Sequence, residues 1–372
     1  MPTVKYKPII KRIPTSIDRT KNITTYDIDN LYPQRMEQLA NRSPITLSST
    51  DAMYRFIRGA GFSDNGDLVV NRFGQTLNDI LKAVVKDSSV YDGWALHINV
   101  NILGGITEII PVKFKTVRFG LPDKYGRHTD VKTSLYWDKL SNGYSNKLKL
   151  MREFPIWERR DETPVESVED FEGYIHYDTP EMDEYPKASF DAVADSAQTN
   201  AEIQTFELGS IQNSFLGTSI FKHPGKIESE KDREQIIADL HDLTGAENAG
   251  SAYLLEVPED FDGTIIENLP ANNNDRLFEL TNTNSVERII ARFGIPAPIL
   301  GIQPSGGGIF NEDQIKDAYT YMNARTVDKR NDMKDSFNKI LKDWHTGAID
   351  IGDIEVVDFE VPTQETKEVI QE

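Results

Sequence analysis

The sequence predicts an α+β protein built from more than one structural unit. Apolar residues recur with helical spacing over residues 33–91, alternate one-on, one-off over 94–114, and return to helical spacing from Pro186 onward. A chain of 372 residues also exceeds what one hydrophobic core usually serves.

Residues 1–30 mix charge, proline and polar side chains and read as an N-terminal arm. A helix is expected at about 33–42 and a second in SPITLSSTDAMYRFIRGAGF, capped by Ser48, Ser49 or Thr50 and ended by Gly59 or Gly61. Thr76 caps a third, whose stripe is Leu77, Ile80, Leu81, Val84 and Val85. Trp94, Leu96, Ile98 and Val100 then alternate with Ala95, His97 and Asn99, and LGG separates them from a second strand over 106–114. Shorter strands are expected at 116–119, 134–137 and 173–177. Residues 151–185 are acidic, with twelve Asp or Glu against three Arg.

Pro186 suits a first helical turn, and the alanines after it allow close approach of a neighbouring helix. A compact insert follows. IESEKDREQIIADLHDLTG is a helix with Ser229 as cap, SAYLLEVPEDFDGTIIENLP a strand, turn and strand, and a helix runs over about 274–293. Pro296 should stop that helix near Gly294, and Pro298 and Pro304 stiffen the exit. Gly306, Gly307 and Gly308 then free the backbone before Asn311 caps a helix over 312–344, about 48 Å long if continuous from 312 to 343.

A net charge of −19, from 60 acidic and 41 basic residues, argues against a tight sequence-reading DNA binder, because phosphate affinity depends on Lys and Arg. With no cysteine there is no disulfide, thiolate metal site or cysteine nucleophile. No apolar run approaches the twenty residues of a membrane span, so a soluble, cytoplasmically assembled chain is expected. The six histidines are scattered, and no phosphate loop, zinc motif or nucleophile elbow occurs. Neither a catalytic residue, a metal nor a cofactor is expected.

Three passages over residues 185–345 resemble the portal proteins of tailed bacteriophages. YPKASFDAVADSAQTNAEIQTFELGSIQNSFLGTSIFKHP is similar to a stem helix running into a clip domain. SAYLLEVPEDFDGTIIENL and NDRLFELTNTNSVERIIARFGIPAPILG are similar to the clip's closing strands, the return stem helix and its FG-I-P turn, and GGGIFNEDQIKDAYTYMNARTVDKRNDMKDSFNKIL to a tunnel loop and the long helix behind it. The resemblance implies an arm (1–30), an α+β wing (31–185), a stem helix (186–214), a clip (215–270), a return stem helix (271–295), a tunnel loop (296–311), a long wing helix (312–344) and a short C-terminal segment (345–372) with little or no crown.

It further implies a non-enzymatic virion protein at the capsid vertex, in a ring of about twelve subunits. Its partners would be double-stranded DNA in the channel, bound without sequence specificity, the terminase large subunit, a head–tail adaptor and the major capsid protein, with no membrane. Onto this chain the resemblance places channel residues Gln303, Ser305, Gly306, Gly307, Gly308, Ile309, Phe310 and Asn311. Stem packing falls to Ala188, Ala194, Ala197 and Ala201, clip docking to Glu230, Lys231, Arg233 and Glu234, and the helix-to-loop turn to Phe293, Gly294, Pro296 and Pro298. A mostly acidic channel is expected, with Arg325, Lys329 and Arg330 as candidates for local basic rings. An acidic structural or interaction protein of the particle outside the vertex is the competing reading, and a Mg²⁺ enzyme using the 151–185 carboxylates a third.

Overall fold

The computed structural model describes residues 13–138, 151–161, 171–181, 184–212, 219–225, 227, 229–243, 252–258, 266–268, 275–302 and 310–359. The chain divides into two units, Met1–Ala194 with Ile289–Glu372, and Asp195–Arg288.

The first unit opens with a hairpin of β1 (Ile17–Asp18) and β2 (Ile23–Thr24), then α1 (Tyr32–Arg42) and α2 (Pro44–Arg58). The expected cap of α2 at residues 48–50 is corrected to Ser43. Its hydroxyl accepts from the Thr46 N–H, and Pro44, whose φ already suits a helix, takes the first position and starts the helix a full turn earlier. Gly59 (φ 63°) ends it. After β3 (Gly61–Phe62), α3 (Leu77–Tyr91) starts from Thr76, whose hydroxyl and main chain exchange hydrogen bonds with Asp79 in a capping box.

β4 (Trp94–Val100) pairs antiparallel with β5 (Ile106–Val112). β6 (Val117–Phe119), β7 (Asp130–Thr133) and β8 (Arg152–Pro155) form a second antiparallel sheet, and β9 (Tyr174–Asp178) adds to the free side of β4. The strand expected at 134–137 lies instead just past β7. There the chain leaves the ladder so that Trp137 is buried with its indole N–H on Thr116 O at 2.8 Å.

The second unit contains α4 (Ala194–Gln212), β10 (Ser219–Pro224), α5 (Glu230–Leu243), β11 (Ala252–Val257), β12 (Ile266–Asn268) and α6, which runs Asp275–Phe293. The helix expected from Pro186 begins eight residues later. Residues 186–189 are claimed by the first unit, where Pro186 O accepts from Tyr26 Oη, Ala188 N donates to Tyr32 Oη and Ser189 N to Val90 O. The expected β11–β12 hairpin is also corrected. β10 sits between them, parallel to β11 and antiparallel to β12, because α5 supplies the crossover that a parallel pair requires. On α4 the buried Ala197, Asn200 and Ala201 share one face, and Asn200 Nδ2 donates to Asn282 Oδ1 of α6 at 2.9 Å. Phe206 stacks on Phe278 one to two turns further along, so the two helices run side by side.

The chain re-enters the first unit at Ile289, within α6, and continues through α7 (Ala297–Leu300), α8 (Glu312–Arg325) and α9 (Val327–Leu341), and β13 (Ile354–Glu355) closes by pairing with β3. The single helix expected over 312–344 is thus two helices meeting at Thr326 (φ −99°, ψ 1°). Thr326 is fully buried and β-branched. Its hydroxyl bonds back to Met322 O and receives Arg330 Nη1, which competes with regular helical geometry at that residue.

The core of this unit joins the α3 stripe, Trp94, Leu96 and Ile98 of β4, and Met333, Phe337, Ile340 and Leu341 of α9. Trp94 stacks on Phe337, and Phe62 meets the same ring edge-on. Ile349, Ile351 and Ile354 belong to this core too, with Ile351 fully buried, so the described part of the C-terminal segment completes the first unit.

One buried titratable cluster lies against this core. His176 is buried, its Nδ1 pairs with Glu158 and its Nε2 lies 3.7 Å from Asp178 Oδ2. Ser336 of α9 donates to Asp178 at 2.5 Å. Burial works against a charged imidazole, but the two carboxylates outweigh it and raise the pKa from 6.5 to about 9. A pKa raised on folding contributes stability that is complete below about pH 6.5 and is lost as pH climbs through about 9. The urea midpoint should therefore fall between pH 7 and 10, and His176→Gln should flatten that fall; a midpoint constant over this window contradicts the assignment.

Candidate functional site

The described residues contain no group of three or more His, Asp or Glu placed to hold a metal ion. What they do contain is the frame around the glycine-rich loop.

α6 ends at Phe293, whose ring is buried. Gly294 follows with φ 61°, and its N–H donates to Ile290 O at 2.7 Å. A Cβ at this position would stand 2.6 Å from the guanidinium carbon of Arg325, so both backbone conformation and space select glycine. Arg325 is close because its Nε donates to Phe293 O at 2.8 Å: the last residue of α8 caps the last residue of α6. Pro296 is extended, Pro298 lies in the first turn of α7, and Gly301 in the left-handed region ends that turn. α7 packs against α2 and α8.

On the far side Asn311 caps α8, its side chain accepting from Gln314 N at 2.8 Å while Gln314 Oε1 accepts from Asn311 N at 3.0 Å. The two ends of the loop are thus anchored on helices tied to each other by one arginine. Gln303, Ser305, Gly306, Gly307, Gly308 and Ile309 lie outside the described residues; Phe310 is half-buried and Asn311 exposed.

Of the basic-ring candidates, Arg330 is corrected. Arg330 is buried and donates to Phe56 O, Thr326 Oγ1 and Asn323 O, joining α9 to the end of α2. Lys329 pairs with Asp92 beyond α3, and Arg325 serves as the cap just described. Sequence reasoning missed these roles because a basic residue in an amphipathic helix looks the same whether it faces water or a neighbouring carbonyl.

Of the stem residues, Ala197 and Ala201 are buried on the face of α4 that Asn200 turns to α6. Ala194 is half-buried at the helix start, and Ala188 is buried in the first unit before the helix begins. Glu230, Lys231, Arg233 and Glu234 are all exposed on α5, and Arg233 Nε lies 3.8 Å from Glu256 on β11.

No protein-family model matches the chain, and no curated protein matches it. Solved structures do. A chain from the virion of a native gene transfer agent particle aligns with a TM-score of 0.52 at 13% identity, over 87% of this chain and 84% of that one. A chain from the neck of an empty gene transfer agent particle computed with C6 symmetry aligns with a TM-score of 0.51 at 13% identity, over 86% and 84%. The crystal structure of an HK97 family phage portal protein from Corynebacterium diphtheriae aligns with a TM-score of 0.43 at 11% identity, over 83% and 90%. At the level of the fold, this chain shares its α+β architecture with chains from the virion and neck of gene transfer agent particles.

Proposed function

We propose that this chain is the subunit of a portal ring through which double-stranded DNA enters and leaves a capsid. The observation that carries the reading is the mounting of the 303–311 loop: a triple-glycine tip between α7 and α8, whose feet are held by the Arg325 cap on Phe293 and by the Asn311 capping box. A fixed base carrying three consecutive glycines, which lack the Cβ that restricts other residues, suits contact with a substrate that moves past it. The paired helices α4 and α6 serve as stem, the β11-β10-β12 sheet with α5 as clip, and the exposed Glu230, Lys231 and Glu234 as docking surface for a terminase large subunit and later a head–tail adaptor. Major capsid protein surrounds the first unit. The role is structural, not catalytic, and is carried out in the virion after assembly in the host cytoplasm. Among the described residues no helix is long and apolar enough to cross a membrane. The chain's surplus of acidic residues fits a channel that must not retain DNA, since each added phosphate contact would tighten binding.

Negative-stain images and the solution mass of the purified protein test this. Rings with a central channel and a mass roughly twelve times 42.1 kDa are expected. A 42.1 kDa monomer at every concentration overturns the reading and favours an interaction protein outside the vertex.

A further inference from the structure

We infer that residues 356–359 are a strap that clamps α8 against α2 and thereby sets both feet of the 303–311 loop. Its use rests on the portal reading above; its geometry lies wholly within the first unit.

Apolar burial holds α8 weakly. Along Glu312–Arg325 only Ala318 and Met322 are buried, whereas α9 buries Met333, Phe337, Ile340 and Leu341. Yet this one helix carries both feet: Asn311 caps its start on the far side of the loop, and Arg325 at its end donates to Phe293 O on the near side. Whatever fixes α8 therefore fixes the pair.

The strap leaves from a firm anchor. Ile354 and Glu355 pair with Phe62 and Gly61, Ser63 N donates to Asp353 O at 2.8 Å, and Ala60 N donates to Glu355 O at 3.0 Å. A Cβ on Gly59 would stand 1.9 Å from Glu355 O, so the strand lies directly against the residue that ends α2.

Beyond Glu355 the packing changes. Val356 is 43% exposed, and it and Asp358 line a cavity of about 590 Å³ together with Val327 and Asn331 at the start of α9. The chain spans this space instead of filling it, and it meets α8 at two points. Val357 O accepts from Asn323 Nδ2 at 2.9 Å, and the Phe359 ring lies 5.4 Å from that of Tyr319. Phe56 of α2 meets Tyr319 edge-on at 5.2 Å, and the Arg55 guanidinium lies 5.2 Å from the same ring. Tyr319 is thus held between α2 and the strap, and Asn323 one turn on is tied to the strap's backbone. Two contacts beside an open cavity can be released while Ile351 and Ile354 stay in the core, so α8 can loosen without the unit unfolding.

Amide hydrogen exchange on the full chain tests this. Asn323→Ala with Phe359→Ala removes one hydrogen bond and one aromatic pair, and should speed exchange across α8 by about tenfold to a hundredfold while exchange in α9 and the thermal midpoint hold. Phe359→Tyr alone keeps the ring and should exchange like the unmodified chain. In capsids the double variant should lower the DNA packaged. Unchanged exchange in α8 overturns the inference, as does acceleration that extends equally to α9 or a lowered midpoint, either of which would make residues 356–359 ordinary core. Packaging at the unmodified level with α8 loosened overturns the claim that the strap sets the loop. The exchange readout needs neither ring nor DNA, so a strap that fails is distinguished from a portal reading that fails through a monomeric unmodified chain.

Discussion

Replacing Arg118 with Met is expected to cost the first unit about 3–5 kcal/mol, a large share of the stability of a domain of this size. Arg118 has no exposed surface. Its Nε donates to Asn30 Oδ1, Nη1 to Lys115 O and Val117 O, and Nη2 to Asn30 O and Gln34 Oε1, at 2.7–3.2 Å. The rings of Tyr26 and Trp137 flank the guanidinium, with centroids 5.4 and 5.2 Å away. None of these hydrogen-bond partners is a carboxylate. Burial therefore disfavours the charge and holds the pKa below its ordinary value, which offsets part of what the bonds contribute. Methionine removes that penalty and fills much of the volume, yet it strands the acceptors that α1, the loop before it and β6 aim inward, at about 1–3 kcal/mol each. Lysine should rescue little, since it lacks the planar fork that reaches both sides. Urea unfolding of the three proteins measures the differences, and a loss below about 1 kcal/mol for Met would show that the network is dispensable.

The triple replacement of Gly306, Gly307 and Gly308 by Ala is expected to leave ring and thermal midpoint unchanged while DNA packaged per capsid falls roughly tenfold or more. Three glycines each surrender about 0.5–1 kcal/mol of backbone freedom on becoming alanine, and 1.4 kcal/mol is already tenfold. The frame does not depend on them: Gly294, Arg325, Pro296 and the Asn311 capping box hold the feet from outside the tip. Packaging at the unmodified level would remove the loop from the mechanism. A subunit that fails to fold would mean that the glycines hold one fixed backbone geometry.

Local chemistry was legible in the sequence. Thr76 and Asp79 box the start of α3, Asn311 and Gln314 that of α8, Gly59 and Gly294 stop their helices with positive φ, and LGG turns β4 into β5. Each is settled within a few residues by caps, turn chemistry or the alternation of apolar side chains, so each could be read in place. Ser43 was missed because three later hydroxyls looked equally good until Pro44 is given its weight at the first helical position. Tertiary structure alone decided the rest. Residues 186–189 were kept from helix by Tyr26, Tyr32 and Val90, all distant in sequence. Thr326 split the long helix because its hydroxyl and Arg330 answer to Phe56 O on α2, and β10 entered between β11 and β12 because a crossover helix brought the chain back parallel. Arg325 became a cap and Arg330 a buried brace for the same physical reason: a hydrogen-bond donor goes to the unpaired carbonyl within its reach, and which carbonyl that is depends on how distant segments pack, which no local spacing records.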